Sequence, residues 1–330
     1  MESLKIGLAR VLFEFGLVFF NWFGFTPKYS YESLRKLYYT SNGKFNKKIS
    51  SRIGKKSKLY DFEEKINGVL GELNHEDIDK IVSDINTNGY YVFDKKLNHE
   101  DIDHLLKFSL ETKARLMPNE EMVFKTYDRN NPEAIKYQFQ EQDLINNSVI
   151  QKIAIDKTIL LIAQKFLKAK PILDLISMWW STSISKEASS KIAQLYHFDM
   201  ERIRFIKFFI YLTDVDENTG PHCYVKGSTK NIPLAVRRDG RISDIEMEEA
   251  YGKENLMEIG GKKGTILAVD TSGFHKGKKL EKDDRLLLQF EYTNSLFGVK
   301  NTFYDVTEPT KDLKKSKKKY KETFQRYLIK

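Results

Sequence analysis

His197-Phe198-Asp199 is followed, after a long interval, by a lone His275 and, ten residues further on, by Arg285, so a fold must bring these groups together. On a strand, side chains alternate with period 2, which puts His197 and Asp199 on the same face. One imidazole and one carboxylate then aim at one point, and a second imidazole from a later strand completes two histidines and a carboxylate. That donor set caps one face of a non-heme Fe(II) and leaves the opposite face open for substrate and oxygen. Arg285 offers a permanently charged fork suited to a carboxylate-bearing co-substrate.

The 330 residues suit one large domain with additions, and with 41% hydrophobic and 13% aromatic residues the chain can bury a substantial core. A single cysteine, Cys223, excludes an internal disulfide framework and a cysteine zinc site, and a reducing cytoplasm is the simplest setting. The formal charge of +9 is concentrated in residues 311–330, KDLKKSKKKYKETFQRYLIK. No aromatic-interleaved nucleic-acid motif accompanies it, so a solvated basic helix is expected and a nucleic-acid partner is not.

Residues 4–25, LKIGLARVLFEFGLVFFNWFGF, are apolar but interrupted by Arg10 and Glu14, a pair at i,i+4 spacing. The uninterrupted part is too short to span a bilayer, and no small-residue cleavage site follows it. The expectation is a helix docked on the protein or a partner, with a peripheral membrane helix as the alternative. Residues 26–60 are polar and basic and read as a mobile connection.

Leu-Asn-His-Glu-Asp-Ile-Asp occurs at 73–79 and again at 97–103. Each copy reads as a helix start, with Asn as the cap and acids in the positive first turn, so His75 and His99 are surface residues rather than metal ligands. Residues 105–170 read as largely helical, and beyond Pro171 the texture turns to strands at 176–183, 193–199, 204–212, 222–225, 265–269 and 285–292. Residues 240–258 read as a helical insertion. The expected class is α+β with a mainly β core, a jelly roll or barrel. The expected organisation is a helical extension and basic linker over 1–60, the β domain over 61–295, and a basic tail over 296–330.

Three segments in order resemble the phytanoyl-CoA dioxygenase-like branch of the Fe(II)/2-oxoglutarate oxygenases: Tyr196-His197-Phe198-Asp199, Asp216 to Lys230 (DENTGPHCYVKGSTK), and Gly264 through His275 to Arg285. The resemblance covers roughly residues 70–295. It implies a double-stranded β-helix flanked by helices, with His197, Asp199 and His275 as iron ligands and catalytic centre. It implies that Arg285 pairs with the distal carboxylate of 2-oxoglutarate while the other end chelates the iron, O2 taking the last position. Thr229 and Lys226 depart from the family's usual histidine and proline, on a turn away from these residues. Phe198 stands where some relatives carry a polar co-substrate contact, and Asp199 argues against a halogenase.

Gln289, on the arginine's strand, is a further candidate for the co-substrate, and Trp180, Tyr196, His222 and Phe274 are candidates for the substrate. The expected activity is hydroxylation of a C–H bond in a small or carrier-bound, anionic substrate, with release of succinate and CO2. The alternatives are a non-catalytic jelly-roll scaffold with relic ligands and a cupin-like enzyme with another metal, which would not need Arg285.

Overall fold

The computed structural model describes residues 2–119, 121–185, 187–189 and 192–329. Three helices open the chain: α1 (Glu2–Phe23), α2 (Lys28–Thr40) and α3 (Lys44–Lys56). A hairpin, β1 (Lys65–Gly68) and β2 (Gly71–Asn74), leads to α4 (His75–Asn88), β3 (Tyr90–Val92) and α5 (His99–Glu111). Strands β4 (Ala114–Met117), β5 (Phe124–Lys125) and β6 (Lys136–Gln138) precede α6 (Glu141–Leu144), α7 (Ser148–Ala154) and α8 (Lys157–Leu167). The β core follows: β7 (Ile172–Thr182), β8 (Phe205–Tyr211), β9 (His222–Val225), then α9 (Asp244–Tyr251), β10 (Leu256–Ile259), β11 (Ile266–Val269), β12 (His275–Gly277) and β13 (Asp284–Thr293). The chain closes with β14 (Tyr304–Val306), α10 (Lys311–Lys319) and β15 (Tyr327–Ile329).

Eight strands form one sheet in the order β3-β11-β8-β13-β7-β6-β4-β5, and three form a second, β10-β9-β12. All pairings within both are antiparallel. Phe209, Tyr211 and Leu287 of the large sheet pack with Tyr224 and Ile259 of the small one, so the two close face to face as a double-stranded β-helix. The large sheet is buried on both faces. Its inner face lines a cavity, and its outer residues Met178, Trp180, Phe208, Ile210, Leu286 and Leu288 pack under α4, α5, α7 and α8. That is why β8 (FIKFFIY) and β13 (DRLLLQFEYT) read as nearly continuous apolar runs rather than clean alternations.

The helix starts form as the repeat implies. The Asn74 side chain accepts from Asp77 N–H while the Asp77 carboxylate accepts from Asn74 N–H, and Ile78, Ile81, Val82 and Ile85 then face the core at helical spacing. The helix stops at Gly89, whose φ of 93° and contact with the Tyr224 ring exclude a side chain.

Three expectations need correction. Residues 26–60 are not a mobile connection: α2 and α3 occupy most of them, with Leu34, Leu37, Tyr38 and Ile49 buried against Phe198, Val225 and Phe274. Residues 105–170 are not largely helical, because three short strands, β4 to β6, extend the large sheet there. Residues 296–330 are not a tail. Leu313, Tyr320, Phe324 and Tyr327 are buried, Tyr327 Oη donates to Glu141 at 2.6 Å, and Arg326 reaches Asp174 at 3.1 Å. Lysines between these apolar residues hid a packed face. In α1, Glu14 pairs with Arg52 of α3 at 2.5 Å rather than with Arg10, which ties the first helix to the third.

Candidate active site

His197 and Asp199 lie on an irregular segment before β8, and His275 opens β12. His197 and His275 form an isolated antiparallel bridge: His197 N–H donates to His275 O at 3.0 Å and His275 N–H returns to His197 O at 2.8 Å. Asp199 N–H donates to Thr271 O at 2.8 Å. One bridge, not a regular strand over 193–199, therefore unites the ligands. Gly273 makes the turn into His275, where a Cβ would meet Tyr224 Oη at 2.1 Å.

His275 Nε2 stands 3.2 Å from Asp199 Oδ2 and His197 Nε2 stands 3.5 Å from Oδ1. One potential ligand atom from each of the three residues lies within 4.8 Å of the other two. Nδ1 of His197 faces Leu195 O at 2.9 Å and Nδ1 of His275 faces Gly273 O at 3.0 Å. A carbonyl only accepts, so Nδ1 of each ring is the donor there and each Nε2 is left turned toward Asp199, the orientation metal-binding imidazoles need. Phe198, between the ligands, turns to the other side and packs against Tyr38 of α2 at 5.1 Å. Burial lowers the His275 pKa despite Asp199, favouring the neutral, ligating form.

A feature not foreseen in the sequence is Lys207 of β8. Its buried ammonium donates to Asp199 Oδ2 at 2.7 Å and lies 3.3 Å from Glu291 and 3.7 Å from Glu201. Burial alone would raise the Asp199 carboxyl, but Lys207 and His275 reverse this and hold it well below its usual range. Burial likewise disfavours the Lys207 charge, and Asp199, Glu201 and Glu291 outweigh it and push the lysine well up. Glu291 is pushed well up, chiefly by burial. The signal for Lys207 was present: it is the lone charge in an otherwise apolar strand.

The triad opens on a cavity of about 250 Å³. Period-2 alternation sends Ser177, Trp179 and Ser181 of β7, Lys207, Phe209 and Tyr211 of β8, and Arg285, Leu287 and Gln289 of β13 into it. Strand register sets Lys136, Ser181 and Arg285 in one row across β6, β7 and β13. Arg285 is buried, its Nη2 is 3.4 Å from Ser181 Oγ, and its Nε has no partner. No carboxylate pairs with it among the described residues. Lys136 lies over the Trp179 ring at 4.3 Å, and burial, with Arg285 beside it, lowers its pKa to about 7.

His222 and Gln289 line this cavity, while three other candidates do not. The His222 ring stacks 5.6 Å from that of His275, its Nε2 is buried without a partner, and burial with His275 and Arg285 nearby holds it neutral. Trp180 is fully buried on the outer face against Tyr127 at 4.8 Å, and its neighbour Trp179 is the indole that faces in. Tyr196 and Phe274 each adjoin a ligand in sequence, so alternation turns them away from it, into the layer under α2 and α3.

The phytanoyl-CoA dioxygenase (PhyH) family matches residues 85–281, more than half of the chain. The chain belongs to this family. Among solved structures, the PhyH chain described here is similar to EctD from S. alaskensis in its apoform (14% identity, TM-score 0.49, covering 71% of this chain and 84% of that one). It is also similar to HygX from Streptomyces hygroscopicus with nickel and 2-oxoglutarate bound (18%, TM-score 0.48, 73% and 94%). A third is the epimerase SnoN in complex with Fe3+, alpha ketoglutarate and nogalamycin RO (14%, TM-score 0.46, 66% and 83%). No curated protein matches.

The PhyH cofactors, iron and 2-oxoglutarate, fit what is present here: two Nε2 lone pairs and one ionised carboxylate for a ferrous ion, and a buried guanidinium lacking an anion for the co-substrate. A buried charge without a counter-ion is strongly unfavourable, and Arg285 has no carboxylate partner among the described residues.

Proposed function

We propose that this 2-oxoglutarate-dependent oxygenase hydroxylates a C–H bond of a small or carrier-bound, anionic substrate. The observation that carries it is the pairing, in one cavity, of an intact His197–Asp199–His275 set with the unsatisfied Arg285. A relic scaffold would have no physical reason to keep a buried, unpaired guanidinium, and a cupin-like enzyme with another metal would not use it.

Iron and 2-oxoglutarate, when bound, supply the oxidant for C–H cleavage, with dioxygen consumed and succinate and CO2 released. Arg285 and Ser181 hold the distal carboxylate, with Gln289, four residues along the same strand and on the same face, as a further donor, and Lys136 adds a second positive charge to the row. Leu287, Phe209 and Trp179 exclude water from the space between. His222 and Trp179 are the groups of this cavity best set to touch a substrate. A volume of about 250 Å³ is at the small end for ligand sites, so a long carrier would stay outside with only the reacting group enclosed. Lys278 also reaches the cavity wall and, with Arg285 and Lys136, supports the anionic reading.

The test is anaerobic titration of the protein with Fe(II) and 2-oxoglutarate. The expected results are a weak visible chelate band and, on admission of air, 2-oxoglutarate-dependent succinate. Absence of both would refute the proposal.

Lys136 gives the co-substrate site a pH dependence. Its ammonium is half lost at about pH 7 in the free protein. A bound dicarboxylate favours the charged form, so binding takes up a proton above that pH, and 2-oxoglutarate affinity falls as pH rises through 7. Anaerobic dissociation constants between about pH 6 and 9 should climb by up to roughly tenfold per unit, and Lys136→Met should flatten the curve. An identical slope in the variant would remove Lys136 from the site.

A further inference from the structure

α1 is apolar on two faces, and only one is covered. Ala9, Phe13 and Gly16 are buried, with Phe13 at 4.9 Å from Phe45 of α3 and 5.2 Å from Phe297. Gly16 lies so close to α2 that a Cβ would meet Ser30 Oγ at 2.1 Å, and Ser30 Oγ donates to Leu12 O at 2.8 Å. The other face carries Leu4, Leu8, Val11, Phe15, Val18 and Trp22, spaced alternately four and three apart so that they form one stripe. Every one of the six is more than half exposed, Leu4 at 81% and Trp22 at 79%. Phe23 and Phe25 extend the patch at its C-terminal end. A contiguous apolar surface of this kind marks an interaction site.

Beside the stripe runs a cationic groove. Arg10 of α1 faces Lys44, Lys48 and Arg52 of α3, with Phe45 and Ile49 at its floor. The one carboxylate in the groove, Glu14, is taken by Arg52 at 2.5 Å. No ion pair forms at Arg10, Lys44 or Lys48 among the described residues.

We propose that this face of α1 and the groove beside it form a docking surface for an anionic lipid bilayer, with the helix lying in the interface plane. A charged membrane offers both things the surface lacks: acyl chains for the stripe and phosphates for the groove. A second copy docked stripe to stripe would cover the apolar face but bring up a like-charged groove whose one carboxylate, Glu14, is already taken by Arg52. Trp22 has the amphipathic ring favoured at the headgroup boundary, and the phenylalanines around it suit the apolar face of an interfacial helix. The 20-residue segment Leu4–Phe23 is long and apolar enough to cross a membrane. Crossing would strip Phe13 and Gly16 from α2 and α3 and break the Glu14–Arg52 pair, whereas lying flat keeps all of these contacts.

The test uses the full chain and sedimentation with phosphatidylcholine vesicles containing roughly 30% phosphatidylglycerol, against pure phosphatidylcholine. The expected result is co-sedimentation with the anionic vesicles, weakened about tenfold or more by Phe15→Glu with Trp22→Glu, and weakened likewise by Lys44→Glu with Lys48→Glu or by roughly 0.5 M salt. The exposed positions leave the buried face intact, and an unchanged circular dichroism melt shows that the variants are folded. The proposal is overturned by failure to sediment, by equal binding to both vesicle types, or by a dimer that Trp22→Glu dissociates and that ignores vesicles.

Discussion

Replacing His275 by alanine is expected to lower 2-oxoglutarate-dependent succinate release by about a thousandfold or more, a loss of ~4 kcal/mol in transition-state stabilisation. The imidazole contributes one of the three donor atoms gathered within 4.8 Å. Its backbone is held independently of the side chain: the two bonds exchanged with His197 run through N–H and C=O and survive the substitution. The variant therefore keeps the barrel and loses only the donor. Asp199→Ala is a less clean experiment, since it would also remove the closest counter-charge of the buried Lys207 ammonium. Succinate release, read beside a thermal melt, separates the two effects. A His275→Ala variant that keeps more than about a tenth of the activity would remove this residue from the catalytic centre.

The largest effect on stability is expected at Arg202. Its side chain is 1% exposed, and Nε and Nη2 donate to Asp174 at 2.6 and 2.8 Å. Nη1 donates to the carbonyls of Leu296 and Val299 at 2.9 and 2.7 Å, and Nη2 also reaches Asn301 at 2.9 Å. One guanidinium thus joins the segment after the metal ligands, the start of β7 and the loop beyond β13. Arg202→Leu would leave Asp174 buried with Arg326 as its one remaining cation among the described residues and strip two carbonyls of their donor. Breaking a buried pair from one side costs about 3–5 kcal/mol. Urea unfolding should show the loss, and Asp174→Leu in the same chain should recover part of it by removing the stranded carboxylate. A loss below about 1 kcal/mol would mean that the pair is dispensable.

The strands of the barrel could be read because Gly, Pro and Asn turns punctuate them, and the triad because His-x-Asp fixes two side chains on one face whatever the details of the sheet. Register was a different matter. β7 is buried on both faces, so its one clue to register is faint: Ser177 and Ser181 alternate with Met178 and Trp180, which sets Trp179 on the polar, inward face. Tyr196 and Phe274 adjoin inward ligands, so strand alternation alone turns them outward. Lys136 had no local signal: it enters the site only because a three-residue strand pairs at the level of Ser181. α2 and α3 are obscured by composition, because they carry seven lysines and three of the positions that dock them are serines, Ser30, Ser33 and Ser50.

Lys207 has a consequence for how this protein acquires its metal. In a site whose carboxylate had no partner but the ion, the loss of that ion would leave bare negative charge in a dry interior and loosen the barrel around it. Here an internal cation answers Asp199 before any metal arrives. The scaffold can therefore mature first and be loaded afterwards, and stripping the metal with a chelator should leave a chain that still unfolds in a single cooperative step.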